Sequence, residues 1–275
     1  MAPFTQARQI VRRTSGFSRL ALLTATASYS RPRLAGVCSA LLKSLARDGK
    51  VAIRYRTNGL SRKIFLRLAH LQSDLCSALE LAVNDCYRLN DLGDQEFIVD
   101  GGGNTGLFTL AAHAHWPQSE LNVCEPVPEN LAILRQNLVA NRVNARVFPI
   151  CLGGEVGTAR FYCREANQGS FNPEPAYENE IDVPVRTLSG ICCGKDGKKT
   201  LIKLDIEGAE VEVMKEFLRV PRNKTTIVGE LHDQKRQKPI LCEILNKSGW
   251  RTRFIHEDEQ CSQFQFFSPD LPEPS

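Results

Sequence analysis

The run Glu96-Phe97-Ile98-Val99-Asp100-Gly101-Gly102-Gly103-Asn104-Thr105-Gly106 constrains this chain more than any other stretch. Three apolar residues end at an acid, and a glycine-rich turn follows at once. Leu107-Phe108-Thr109-Leu110-Ala111-Ala112 then continues as the start of a helix. A buried strand, a tight loop and a helix in that order form the nucleotide-holding unit of a doubly wound α/β domain. Glycines suit the turn because they let the backbone approach a ligand closely.

Two cofactor classes satisfy the spacing. Gly101, Gly103 and Gly106 fit the dinucleotide pattern G-x-G-x-x-G, and Glu125 follows about 20 residues on. The other class is S-adenosyl-L-methionine, whose methionine end carries an ammonium group. The carboxylate of Asp100, at the last strand position, is placed to hold that ammonium. A pyrophosphate facing the same carboxylate would be repelled. The acid before the loop therefore favours the cofactor with a cationic tail, and the expected contacts are Asp100, Gly101, Gly102, Gly103, Asn104, Gly106 and Glu125.

Leu121-Asn122-Val123-Cys124-Glu125 reads as a second strand ending in an acid. Glu125 is placed to accept from two ribose hydroxyls, roughly 1.5–3 kcal/mol for each bond to a charged group. The plainer alternative is a surface acid at the head of the next helix, where the helix dipole favours negative charge. Pro126 and Pro128 shape the turn into that helix, and Leu131, Leu134 and Leu138 give it one buried face.

Charge is unevenly placed. Arg8, Arg12, Arg13, Arg19, Arg31, Arg33, Lys43 and Arg47 face no acid within residues 1–47, which leaves −4 for the rest of a chain whose total is +4. A basic tail on an acidic body speaks against nucleic acid as the body's partner. The tail resembles an organelle transit peptide of the mitochondrial type, should the source be eukaryotic, or else a poorly ordered terminus. Without such an address the expected compartment is the cytoplasm. No run of 18 apolar residues spans a membrane. The ten cysteines never form C-x-x-C, which predicts reduced thiols with few or no disulfides and gives no zinc signature.

Lys50 to Tyr55 and Lys63 to Leu68 alternate apolar and polar residues around Thr57-Asn58-Gly59, the pattern of a hairpin. Ser73 is placed to cap a helix with Leu75, Leu79, Ala82 and Val83 inward. Ala145 to Cys151 reads as a third strand, Thr158 to Cys163 as another, and Ile181 to Val185 as its partner. The polar, aperiodic loop Arg164 to Pro173 between them is a place to read a substrate, through Asn167 and Ser170, or a plain surface excursion. The chain thus divides into a basic segment (1–47), a hairpin and helix (48–95), a cofactor-binding domain (96–268) and a tail (269–275).

Thr200-Leu201-Ile202-Lys203-Leu204 is a buried strand that runs into Asp205, Glu207 and Glu210. Ligands lie outside the carboxyl ends of strands in open α/β sheets, so these acids stand on the functional edge. Three acids so close repel one another unless a cation or donors offset them. A solvated helix start explains Glu207 and Glu210 equally well. Thr225 to Asp233 reads as the fifth strand, with Glu230 and His232 at its end. Asp205 and His232 are the candidates for the catalytic base, and Glu207 and Glu230 for acceptor contacts. Nothing in the sequence requires a metal. A helix with Ile240, Leu241, Ile244 and Leu245 inward follows, and Trp250 to His256 and Gln263 to Phe267 close the sheet.

With these residues in place, the sequence resembles the FkbM family of S-adenosylmethionine-dependent methyltransferases. The likeness lies in Val99 to Gly106, Glu125-Pro126 with Asn130 and Asn137, Val183 to Leu188, and Lys203-Leu204-Asp205-Ile206-Glu207-Gly208-Ala209-Glu210. Gly103 departs from the alanine more usual there. The resemblance implies a class I methyltransferase fold, a mostly parallel Rossmann-like sheet with helices on both faces. It also implies O-methylation of a hydroxyl on a sugar or natural-product-like small molecule. An NAD(P)-dependent oxidoreductase and a degenerate fold that only binds a partner are the alternatives; Asp100 and the acid-rich fourth strand argue against the first, and intact Asp100, Glu125 and Asp205 against the second. The Asn/Asp-Pro-Pro-Tyr/Phe segment with which many nucleic-acid amine methyltransferases stack a base is missing after the fourth strand.

Overall fold

The structure is a computed structural model. It describes residues 48–57, 60–82, 85–163, 169–170, 179–232, 234–257 and 261–272. The basic segment 1–47 and most of the 164–173 loop, Asn167 included, lie outside the described residues.

The strand, glycine loop and helix appear as read. Strand β3 (Phe97–Gly101) leads through the loop into a helix at Leu107–His115. In chain order the elements before it are β1 (Lys50–Thr57), β2 (Leu60–Arg67) and α1 (Leu71–Ala82), which makes the Leu107–His115 helix α2. After it come β4 (Glu120–Cys124), α3 (Pro128–Ala140), β5 (Arg146–Phe148), β6 (Cys151–Leu152), β7 (Gly157–Cys163), β8 (Gly169–Ser170) and β9 (Asn179–Arg186). The chain continues through α4 (Leu188–Ile191), β10 (Thr200–Leu204), α5 (Glu210–Phe217), β11 (Thr225–His232), α6 (Gln234–Lys247), β12 (Arg251–Glu257) and β13 (Cys261–Phe267).

Seven of these strands form one sheet in the order β12-β13-β11-β10-β3-β4-β5. β5, β4, β3, β10 and β11 run parallel, and β13 is antiparallel to both β11 and β12. This is the mostly parallel sheet of the class I methyltransferase fold that the sequence resemblance implies. The strand order reverses between β3 and β10, and their carboxyl ends lie side by side, with Asp100 opposite Lys203 and Gly101 opposite Leu204. Such a switch point is where an open α/β sheet leaves a ligand crevice.

Period-2 alternation splits the core across the sheet. Ile98, Leu201 and Val228 pack on one face with β1, β2, α1, α2 and α3. Phe97, Val99, Ile202, Leu204 and Ile227 pack on the other with α5 and α6. The hairpin β1–β2 therefore shares the sheet's own core, through Val51, Ile53, Ile64 and Leu66. Helix α3 also holds the hairpin by its polar side. Asn137 Oδ1 accepts from Phe65 N at 2.7 Å, and Asn141 Oδ1 accepts from Lys63 N at 2.9 Å, so two amides take the place of a neighbouring strand.

Three local expectations differ from the structure. The third strand is not continuous over 145–151. β5 belongs to the main sheet and β6 to a separate sheet of order β6-β9-β7-β8, because Pro149 has no N–H to continue the ladder. Helix α1 starts before Ser73, whose hydroxyl donates back to His70 O at 3.1 Å rather than capping the helix. Ile240 faces outward at 37% exposure, because Leu241 and Leu245, both 0% exposed, already occupy the core side of α6.

Candidate functional site

Two clefts open at the switch point and share Gly102, Asn104, Asp205 and Glu207. The first, of about 550 Å³, is lined by Cys124, Glu125, Pro126, Val127, Ile150, Leu152 and Phe161 besides the shared residues. The second, of about 880 Å³, is lined by Ser73, Ser77, Glu80, Tyr87, Phe108, Lys203, Glu230 and His232 among others.

The glycine loop is compressed against the strand beside it. Gly102 has φ +78°, and a Cβ there would lie 1.9 Å from the Asp205 carbonyl oxygen. Gly102 and Gly103 donate their N–H groups to Cys124 O at 3.0 and 2.9 Å, fixing the turn on β4. A Cβ on Gly103 would meet Val123 Cγ1 at 2.3 Å, so the missing methyl at this position matches close packing in this chain. Gly101 is enclosed by Leu152 and Leu204, and Gly106 begins α2 at φ +83°. Asn104 and Glu207 take the left-handed region at φ 46° and 55°, a conformation uncommon for side-chain-bearing residues.

Glu125 follows β4 as read and is 4% exposed. Its Oε2 accepts the Asn104 N–H at 2.7 Å, and its Oε1 accepts Val127 N at 2.9 Å and Asn130 Nδ2 at 3.0 Å. Burial pushes its carboxyl up, against the lowering effect of these donors. A carboxylate has about four acceptor sites. Three are filled here, so Glu125 is left with room for one strong ligand bond where the sequence suggested two.

Asp100 differs from its reading. It is 1% exposed and lines neither cleft. Thr109 Oγ1 donates to its Oδ2 at 2.5 Å, and Lys203 Nζ stands 3.6 Å from its Oδ1. Burial raises its pKa, opposed by Lys203 and Thr109. The cation it faces is thus a lysine of the neighbouring strand. Lys203 is itself 4% exposed, donates to Gly102 O at 2.7 Å and lies 3.4 Å from Asp205 Oδ2. Burial works against its charge, and the carboxylates of Asp205, Asp100 and Glu230 outweigh that and raise its pKa. The sequence reading missed Lys203, although a lysine within Leu201-Ile202-Lys203-Leu204 signals a buried cation.

Asp205, Glu207, Glu230 and His232 do meet in the second cleft. His232 Nε2 lies 3.9 Å from Asp205 Oδ1 and 3.5 Å from Glu207 Oε2, and its Nδ1 lies 3.6 Å from Glu210 Oε1. Burial disfavours the imidazolium, but Glu210, Asp205 and Glu207 together raise its pKa to about 10. Glu207 is raised to about 7 by burial, with His232 opposing. Glu230 is raised by burial and by Asp205; it accepts from Gln263 Nε2 at 3.1 Å and Tyr87 Oη at 3.5 Å. Glu210 is wholly buried and shapes the loop, because its Oε1 accepts the N–H groups of Ile206 and Gly208, both at 3.2 Å. Ligand atoms of Asp205, Glu207 and His232 lie within 4.8 Å of one another, a spacing that also suits a divalent cation. Of the two loop candidates, Ser170 ends β8, where its backbone pairs with Tyr162, while Asn167 lies outside the described residues.

A family profile described as the methyltransferase FkbM domain matches residues 72–257. The chain belongs to the FkbM methyltransferase family. It is 27% identical over 159 residues to Methyltransferase 1 of Beauveria bassiana (strain ARSEF 2860), covering 50% of this chain and 64% of that protein. It is 32% identical over 139 residues to the 31-O-demethyl-FK506 methyltransferase FkbM of Streptomyces tacrolimicus, covering 48% of this chain and 52% of the relative. Methyltransferase sdnD of Sordaria araneosa is 28% identical over 209 residues, covering 62% and 80%. Matches to the first two thus span less than two thirds of those relatives' length. Among solved structures, methyltransferase FkbM from Methylobacillus flagellatus KT aligns with a TM-score of 0.49 at 14% identity, covering 96% of this chain and 58% of that one. Among the described residues, no helix is long and apolar enough to cross a membrane.

Proposed function

We propose that this FkbM-family chain is an S-adenosyl-L-methionine-dependent methyltransferase that methylates a hydroxyl of a sugar or natural-product-like small molecule. The observation that carries this reading is the pair of clefts meeting at Gly102, Asn104, Asp205 and Glu207. One has a buried ribose-type carboxylate beside an apolar wall, and the other holds the proton-handling side chains. The residues fit the cofactor: Glu125 keeps one acceptor site for a ribose hydroxyl, and Ile150, Leu152 and Phe161 offer an apolar bed for adenine. The relative named for 31-O-demethyl-FK506 supports oxygen as the methylated atom.

When bound, S-adenosyl-L-methionine supplies an electrophilic methyl group together with its own leaving group. The chain's task is then to align an acceptor oxygen and relieve it of a proton. Alignment is worth roughly 7–11 kcal/mol in well-oriented reactions. A positioned base adds about 10²–10⁴-fold. We assign the proton to the pair Asp205 and His232. With its pKa near 10, His232 holds its own proton at neutral pH, so Asp205 is the acceptor and His232 the cation that steadies it. Glu207 and Glu230 line the same cleft for the acceptor's other hydroxyls.

Incubation with methyl-labelled S-adenosyl-L-methionine and a panel of sugars and hydroxylated natural products tests the reading. Label recovered in a methyl ether supports it. Label found only on nitrogen, or only on RNA, would overturn the oxygen and small-molecule assignments.

A further inference from the structure

We propose that Arg67, at the end of the N-terminal hairpin, is a positioning residue that holds the cofactor cleft in its binding geometry. The proposal rests on the reading of that cleft as the S-adenosyl-L-methionine site. Arg67 is 8% exposed and lines neither cleft, so its effect on a ligand is indirect. Helix α1 secures it first. Asp74 Oδ2 accepts from the Arg67 backbone N at 2.8 Å and from Nε at 3.2 Å, and Asp74 Oδ1 accepts from Nη2 at 2.6 Å.

The outer edge of the guanidinium then reaches two of the three residues that donate to Glu125. Nη2 donates to Asn104 Oδ1 at 3.1 Å, and Nη1 donates to Asn130 Oδ1. Asn104 in turn gives its backbone N–H to Glu125 Oε2 at 2.7 Å, and Asn130 gives its amide to Glu125 Oε1 at 3.0 Å. One side chain of the hairpin thus ties the glycine loop and α3 to the same carboxylate. Asn104 is also a loop residue in the left-handed region, at φ 46°, and the Arg67 bond fixes its side chain there.

Only a planar fork makes all four of these side-chain bonds at once, and a lysine ammonium is a single point of charge. The profile match begins at residue 72, so the hairpin and Arg67 stand outside the part of the chain recognisable as the family domain. The hairpin is therefore a working part of the cofactor site, joined to it through Arg67.

The test is calorimetric titration with S-adenosylhomocysteine of the wild-type chain, Arg67→Lys and Asp74→Asn, with the melting temperature of each. Asp74→Asn keeps the shape of the pocket and leaves the fork half-paired, so it serves where the lysine variant is unstable. We expect both variants to bind about 10-fold more weakly, the loss of one charged hydrogen bond. KM for S-adenosyl-L-methionine should rise by a similar factor while kcat at saturation stays within about twofold, because Arg67 touches no ligand. Arg67→Lys combined with Asn104→Ala should cost less than the sum of the two single losses. A lower melting temperature with unchanged affinity would make Arg67 a scaffold residue only and overturn the proposal. A wild-type chain that binds no S-adenosylhomocysteine would instead sink the cofactor reading, and this proposal with it.

Discussion

Lys203 Nζ lies 3.6 Å from Asp100 Oδ1, and both side chains are almost wholly buried between β3 and β10. Removing one partner of a buried ion pair leaves an uncompensated charge at a cost of about 3–5 kcal/mol. Lys203→Met should therefore destabilise the fold by that amount in urea unfolding. The double variant with Asp100→Asn should lose less than the two singles added together. Additive losses would mean that the two charges do not depend on each other.

Glu125→Gln keeps the shape of the carboxylate and removes its charge. With one acceptor site left for a ribose hydroxyl, affinity for S-adenosylhomocysteine should fall about 10-fold to 100-fold. Equilibrium titration with a folded variant checks this, and unchanged affinity would remove Glu125 from the ribose site.

Gly102→Ala puts a methyl 1.9 Å from the Asp205 carbonyl oxygen at φ +78°, where neither backbone can give way. The loss should reach at least about 2 kcal/mol. Gly103→Ala meets a side chain instead, Val123 Cγ1 at 2.3 Å, and costs less. Adding Val123→Ala to Gly103→Ala should recover part of that cost, as thermal unfolding of the three variants would show.

Much of this site was legible from strand ends. Acids or glycines that close apolar runs at 100–106, 125, 205 and 230 marked the carboxyl edge of the sheet, and the structure gathers them there. The sequence could not show which side of the edge each side chain takes. Asp100 turns into the sheet toward Lys203, a pairing set by the register of β3 against β10 rather than by anything local. Arg67 stayed hidden for the same reason: its bonds to Asn104 and Asn130 cross 37 and 63 residues of sequence. Pro149, by contrast, was visible and deserved to break the third strand.

His232 carries a pH signature. Its pKa rises from an ordinary 6.5 to about 10 through Glu210, Asp205 and Glu207. A raised folded-state pKa gives stability that is complete below the unfolded value and lost as pH climbs through the folded one. The melting temperature of the wild-type chain should therefore exceed that of His232→Gln at pH 7, and the gap should shrink toward pH 10.5. Parallel curves would show that His232 is not held as a cation.

The most direct measurement is calorimetric titration of the wild-type chain with S-adenosyl-L-methionine, S-adenosylhomocysteine and NAD side by side. Micromolar binding of the two sulfur compounds with no heat from NAD is the predicted result. Binding of NAD alone would contradict the account, because it would put a dinucleotide in the cleft assigned to S-adenosyl-L-methionine.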